Sequence, residues 1–331
     1  PALLGLTEKR PGLADQLVGL AIAAGGEKVQ GLERKILDGV LAGIPVVGVW
    51  PADVLDDAVG PELAPVLESD HIRIVCGREH RHEIARHLND IGIDPQGKVI
   101  TEPCGRNTAP ALLLAVLRIV VQDPEPVICV FPADHVIRHI EPFHDKLRSA
   151  VQLARDGHIV TFGIQPYYPE TGYGYIEGAE PVAEGALVTR RFVEKPDSSA
   201  ARQYIDAGNY FWNSGMFAFK ASVILDEFQR HQPKLFEMMS RLTLSRARIT
   251  ESQYAALPDL SIDYAIMEKT DKGVVLPSDF GWSDIGSWKS LYELLPKDGD
   301  NNVFEGDVIA KDTSNSFVLA RQRLIAVNRL D

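Results

Sequence analysis

The 331-residue sequence predicts an α/β fold built on a doubly wound mixed sheet. Three observations carry this reading. From residue 71 onward, short apolar runs alternate with amphipathic stretches. One run, Val127 to Phe131, is apolar throughout, as a strand covered on both faces of a parallel sheet must be. Polar loops bearing Gly, Arg and Asp follow the runs, and in such sheets ligands bind beyond the carboxyl ends of the strands.

Residues 1–70 are rich in Gly, Pro, Ala, Val and Leu; a strand over Leu17 to Ala24 leads into Gly25-Gly26, and the periods are otherwise poorly resolved. Ile72 to Cys76 is a strand, and Glu79 to Ile91 a helix with Ile84, Leu88 and Ile91 on one face. Val99 to Glu102 is the next strand. Thr108 to Val121 is a helix with Thr108 near its N-cap, followed by the strand Val127 to Phe131. Phe143 to Ala154 and Ile159 to Gly163 continue the alternation.

After Gly163 the rhythm changes. Strands are expected over Tyr173 to Glu177, Val188 to Val193, Met216 to Lys220 and Val274 to Pro277, with helices over Ser198 to Ala207, Ala221 to His231 and Ile262 to Lys269. This half reads as a substrate-binding extension of the same sheet rather than an independent domain. Beyond Lys297, the bursts Val308-Ile309, Phe317 to Leu319 and Leu324 to Val327 alternate with polar turns, as at the start of a β-solenoid. The expected division is a domain over 1–296, atypical over 1–70, and a β-rich segment over 297–331.

The net charge of −12 argues against a general nucleic-acid or anionic-membrane binder, which needs excess Lys and Arg. It leaves room for a nucleotide, whose phosphates a few local cations can meet. Cys76, Cys104 and Cys129 are too few and too irregular for a disulfide framework or zinc site, and Cys76 and Cys129 sit in apolar runs as small buried hydrophobes. A reducing, cytoplasmic setting is expected. The Leu17 to Ala24 run is too short to span a bilayer and lacks the basic flank of a signal peptide.

Two strand ends carry ligand chemistry. Thr101-Glu-Pro-Cys-Gly-Arg-Asn-Thr-Ala-Pro110 offers hydrogen-bonding groups suited to a base or phosphate, and Phe131-Pro-Ala-Asp-His135 offers one carboxylate, Asp134, suited to Mg²⁺. An Asp after a strand also serves as a turn former or helix cap, and Thr108 as a cap. Glu194 and Lys195 project to opposite sides of an extended chain, one towards sugar hydroxyls and the other towards a phosphate; a solvated ion pair is the plainer alternative. Gly172 and Gly174 permit close backbone approach, Tyr173 or Tyr175 could flank a sugar ring, and Asn213 offers a donor and an acceptor, although Gly-Tyr-Gly and Asn are also common in turns. His135 and His139 have i, i+4 spacing, but at a strand end this does not form a zinc pair.

Together, Glu102 to Pro110, Phe131 to His135, Pro169-Glu-Thr-Gly-Tyr-Gly-Tyr-Ile176, Phe192-Val-Glu-Lys-Pro196, Trp212-Asn-Ser-Gly-Met-Phe217, Ser261-Ile-Asp-Tyr-Ala-Ile-Met-Glu-Lys269 and Gly281-Trp-Ser-Asp-Ile-Gly-Ser-Trp288 form an ordered set. The set closely resembles the mannose-1-phosphate guanylyltransferases (GDP-mannose pyrophosphorylases), of the bacterial type often fused to a mannose-6-phosphate isomerase domain. It covers roughly residues 71–331. The resemblance implies a Rossmann-like nucleotide-diphospho-sugar transferase fold and Mg²⁺-dependent transfer of GMP from GTP to mannose 1-phosphate. It implies that Asp134 and Asp284 hold the metal, that Arg106, Asn107 and Thr108 contact the nucleotide, and that Glu194 and Lys195 meet the sugar phosphate. A homo-oligomer is compatible with it.

The family's N-terminal Gly-Gly-x-Gly-x-Arg loop, which cradles the triphosphate, has no clear counterpart. Gly25 and Gly26 lie at about the right distance, with Lys28, Arg34 and Lys35 as candidate cations, but Trp50-Pro51 falls elsewhere and no Pro-Lys-Gln follows. The segment reads equally as divergent, rearranged or frame-shifted. A catalytically weak or silent relative that binds sugar nucleotide therefore stays open, as does action on another sugar 1-phosphate.

Overall fold

The computed structural model describes residues 47–50, 73–90, 94–121, 125–132, 135–245, 248–284 and 288–330. The assignments at Gly25, Gly26 and Asp134, the candidate cations Lys28, Arg34 and Lys35, and the expected strand over Leu17 to Ala24 fall outside them.

Among the described residues, nine strands form one sheet. They are β1 (Val47–Trp50), β2 (Arg73–Gly77), β3 (Val99–Glu102), β4 (Val127–Pro132), β6 (Ile159–Ile164), β7 (Tyr175–Pro181), β8 (Leu187–Val193), β9 (Tyr210–Lys220) and β10 (Gly273–Ser278). Their order across it is β3-β2-β1-β4-β9-β6-β10-β8-β7. The extension expected after Gly163 is laid on the same sheet, since β7 to β10 all belong to it. β2 and β3 pair in parallel, as do β6 and β10, whereas β1 and β9 run antiparallel to both of the neighbours that flank them in the sheet. The carboxyl ends of β2, β3, β4, β6 and β10 consequently share one edge.

Helices cover both faces. Helices α2 (Thr108–Ile119), α5 (Ala221–His231) and α6 (Pro233–Leu244) pack one core through Leu112, Val116, Ile224, Phe228, Leu235 and Met239. On the opposite face α1 (Arg81–Asp90), α3 (Ile140–Arg155) and α4 (Ser198–Ala207) contribute Leu88, Phe143, Leu147 and Ala201. Inward alternation along β4 sends Val130 to the first core and Cys129 and Phe131 to the second, which is why this strand is apolar without a break. Cys76 and Cys129 are buried as expected, and burial pushes both thiols up to about 12.

Helix α6 is an addition to the sequence reading. Pro233 occupies its first turn, where its fixed φ and missing N–H cost nothing, one residue after α5 ends. The expected helix over Ile262 to Lys269 is a single π turn, Asp263–Met267. Met216 to Lys220 is only the second half of β9, which begins at Tyr210. The reason is local: Trp212-Asn-Ser-Gly215 has turn-like composition, yet it forms a bulge inside the strand. Thr161 and Gly163 of β6 pair with Phe217 and Asn213, so four residues of β9 span two of β6, with Gly215 at φ 70°.

That bulge lies where the sheet divides. One edge of β9 pairs with β4 over 217–220 and with β7 over 210–212, leaving 213–216 between two diverging partners. The pairings β9–β6, β6–β10, β10–β8, β8–β7 and β7–β9 close a ring of strands beside the open half of the sheet.

Two small sheets complete the described residues. Strand β5 (Val136–Ile137) pairs with β11 (Trp282–Ser283). Strand β12 (Val303–Lys311) pairs in parallel with β13 (Phe317–Asn328) where the sequence suggested the start of a solenoid; among the described residues it is this two-stranded unit. No described helix is long and apolar enough to cross a membrane.

Candidate active site

The loop after β3 is stapled to residues 250–262. Glu102 is buried, and Tyr254 Oη donates to its Oε1 at 2.5 Å. Tyr254 belongs to α7 (Glu251–Ala255), whose N-cap Thr250 forms a capping box with Gln253. Ala109 N–H donates to Leu260 O at 3.0 Å, and Ile262 N–H donates to Thr108 Oγ1 at 2.8 Å. Arg106 donates to Ala255 O and lies 3.9 Å from Asp259, while its Nε is buried without a hydrogen-bond partner. The guanidinium expected at the nucleotide therefore also anchors the loop. The helix cap is Asn107, whose Oδ1 accepts from Thr108 N–H. Thr108 instead presents its hydroxyl to Ile262. Asn107 holds φ 65°, a conformation costly for a non-glycine residue.

A second cluster sits at the division of the sheet. A Cβ on Gly174 would lie 2.8 Å from Glu194 Oε2 and 3.3 Å from Asn213 Cβ, so this glycine lets two polar side chains close up behind the chain. Asn213 N–H donates to Gly174 O at 2.8 Å, its Oδ1 accepts from Gly215 N–H at 3.0 Å, and its Nδ2 donates to Asp263 Oδ1 at 3.1 Å. Burial, then the nearby Glu194 carboxylate, push Asp263 up to about 6. Lys195 is exposed and its Nζ lies 3.4 Å from Glu194 Oε1, the plainer arrangement of this acid–base pair. Its φ of 46° places it, like Asn107, in the left-handed region.

The loop after β6 folds on Glu170, whose Oε1 accepts from the N–H groups of Thr171 and Gly172. Gly172 is exposed at this turn. Tyr175 is fully buried with its hydroxyl donating to Glu170 O, so its ring belongs to the core. Tyr173 is the tyrosine that faces a cleft, of about 420 Å³, shared with Tyr167, Tyr168, Trp212, Trp282 and Arg138. Tyr173 Oη donates to Asp284 Oδ1 at 2.8 Å; burial, then the Asp284 charge, push the phenol well above its ordinary range.

Asp284 is placed by the β5–β11 ladder. Ser283 pairs with Val136, which sets the residue after β11, Asp284, beside His135. Trp282 Nε1 donates to His135 Nδ1 at 3.1 Å, which fixes the neutral imidazole with its proton on Nε2; burial lowers His135 to about 3. Asp263 and Tyr254 are the contributors the sequence reading passed over. Asp263 lies inside a motif it quoted, but its partner Asn213 is 50 residues away and Tyr254 is 152 residues from Glu102.

A family model for nucleotidyl transferases matches residues 63–301. The chain belongs to the nucleotidyl transferase family. Mannose-1-phosphate guanylyltransferase 2 of Escherichia coli O157:H7 is 40% identical over 268 residues, covering 76% of this chain and 55% of that protein. Xanthan biosynthesis protein XanB of Xanthomonas campestris pv. campestris strain ATCC 33913 is 42% identical over 264 residues, covering 78% and 56%. The chain thus spans about half the length of these relatives. Among solved structures, the Thermus thermophilus protein described as mannose-1-phosphate geranyltransferase superposes with a TM-score of 0.72 at 34% identity, covering 81% of this nucleotidyl transferase and 77% of that chain.

Proposed function

We propose that this nucleotidyl transferase moves GMP from GTP to mannose 1-phosphate, giving GDP-mannose and pyrophosphate. The observation that carries the proposal is the meeting of a stapled loop over 102–109, suited to a base, with the cluster Gly174, Glu194, Asn213 and Asp263, suited to a hexose, at one edge of the sheet. Relatives named for this activity at about 40% identity support it.

The sugar phosphate attacks the α-phosphorus in line, so the protein's task is positioning and charge compensation rather than covalent catalysis. Glu194 and Asn213 hold the hexose hydroxyls. Lys195, freed from its pair with Glu194, meets the sugar phosphate. Arg106, Asn107 and Thr108 frame the nucleotide. Asp134 and Asp284 would hold Mg²⁺: two hard carboxylate oxygens suit it, and Tyr173 orients Asp284 through its hydroxyl. The ion, when bound, neutralises phosphate charge. Pyrophosphate release across a panel of NTPs and sugar 1-phosphates tests the proposal; release with GTP and mannose 1-phosphate alone is expected, and another preferred pair would reassign the substrates.

A second reading, a weak or silent relative that binds sugar nucleotide, is favoured by the sequence, in which no Gly-Gly-x-Gly-x-Arg loop occurs. Binding of GDP-mannose without pyrophosphate release would select this reading. For the C-terminal segment, the register Val303↔Phe317 and Gly306↔Ala320 supports a first solenoid coil, because five residues cannot return a straight nine-residue strand to its start.

A further inference from the structure

We infer that Asp263 is a sugar-side positioning residue: its half-buried carboxylate fixes the amide orientation of Asn213 and so sets which hexose hydroxyls that side chain can bond. The inference rests on the proposed function, and it adds a residue that acts through Asn213.

An asparagine amide has two nearly isosteric orientations, and only its hydrogen-bond partners choose between them. Here both ends are chosen by the protein. Oδ1 accepts from Gly215 N–H at 3.0 Å and Nδ2 donates to Asp263 Oδ1 at 3.1 Å. Flipping the amide would set its oxygen against the Asp263 carboxylate and its NH₂ against the Gly215 N–H, two mismatches at once. In the fixed orientation, Nδ2 keeps a second N–H and Oδ1 a second lone pair, the complement of adjacent hydroxyls on a hexose.

The carboxylate is in an unfavourable place for any purely structural purpose. It lies in a single π turn, an element frequent at functional sites, and its neighbour Glu194 repels it, while Asn213 and Ser261 hydrogen bonds offset that only in part. Lys195 pairs with Glu194. Helix α5, packed against the turn, carries Glu227, which lies 3.8 Å from Arg230 and 3.2 Å from His231.

The test is calorimetric binding of GDP and of GDP-mannose to the chain and to Asp263→Ala and Asp263→Asn. The expected result is that Asp263→Ala loses the preference for GDP-mannose over GDP by about tenfold or more with GDP affinity held within about twofold, and that Asp263→Asn, which can still accept from Asn213, loses less. If Asp263→Ala does not fold, a reduced preference in Asp263→Asn alone decides for the inference. An unchanged preference in the folded variants, or equal loss of both ligands, overturns it. Failure of the unsubstituted chain to bind either ligand overturns the functional reading itself, a result distinguishable from the others.

Discussion

At pH 7 the carboxylate of Asp263 is a thermodynamic cost. Its folded-state pKa of about 6 stands above the ordinary 3.8, so the folded protein holds this proton more tightly than the unfolded chain. The group therefore contributes stability that is fully present below about pH 3.8 and is lost as pH rises through 6, roughly 3 kcal/mol in all. Asp263→Asn removes the charge but keeps the shape. It should raise the urea-unfolding free energy by about 1–3 kcal/mol at pH 8 and change it little at pH 4. Destabilisation at both values would mark Asp263 as an ordinary structural residue. Asp284 is proposed as a metal ligand, and on that proposal Asp284→Asn should lower turnover by about a hundredfold; normal turnover with an unchanged Mg²⁺ requirement would remove it from the metal site.

Between elements, the decisive join is the staple from α7 to the loop after β3. Tyr254→Phe leaves a buried carboxylate without its donor, at a cost of about 1–3 kcal/mol. Because burial already raises Glu102 and the Tyr254 hydroxyl lowers it, the variant should raise it further, so the cost should be larger at pH 8 than at pH 5 when unfolding is followed by denaturant at both. This join also shows what a sequence conceals. The alternation of β2, α1, β3, α2 and β4 was legible because each element's apolar period is local, as was the approach of the motif loops to one edge. The Asn213–Asp263 and Glu102–Tyr254 pairs were not, since neither partner has a local pattern that announces the other. Nor was β9 legible in full: Asn213, Ser214 and Gly215 are turn residues by composition, and the bulge inside the strand needs them. Gly174 was singled out for ligand approach; among the described residues it lets Glu194 and Asn213 close up behind the chain.

For the whole molecule, the question is whether β12 and β13 share the cooperativity of the nine-stranded sheet. A Cβ on Gly306, at φ 85°, would stand 2.0 Å from Ala320 O. Gly306→Ala should therefore abolish slow amide exchange in 303–328 while β4, β6 and β9 stay protected; collapse of protection throughout would show one cooperative unit. Within the main sheet no such division is available, because β9 lies between β4 and β6 and also completes the ring through β7. Synthesis on the ribosome feels that order. Ile164 emerges 56 residues before Lys220, so β4 and β6 wait roughly 3–11 s at about 5–20 residues per second for the strand that joins them. During that interval the nascent chain carries two apolar strands with open edges, a hazard for mispairing with neighbouring chains on the same message.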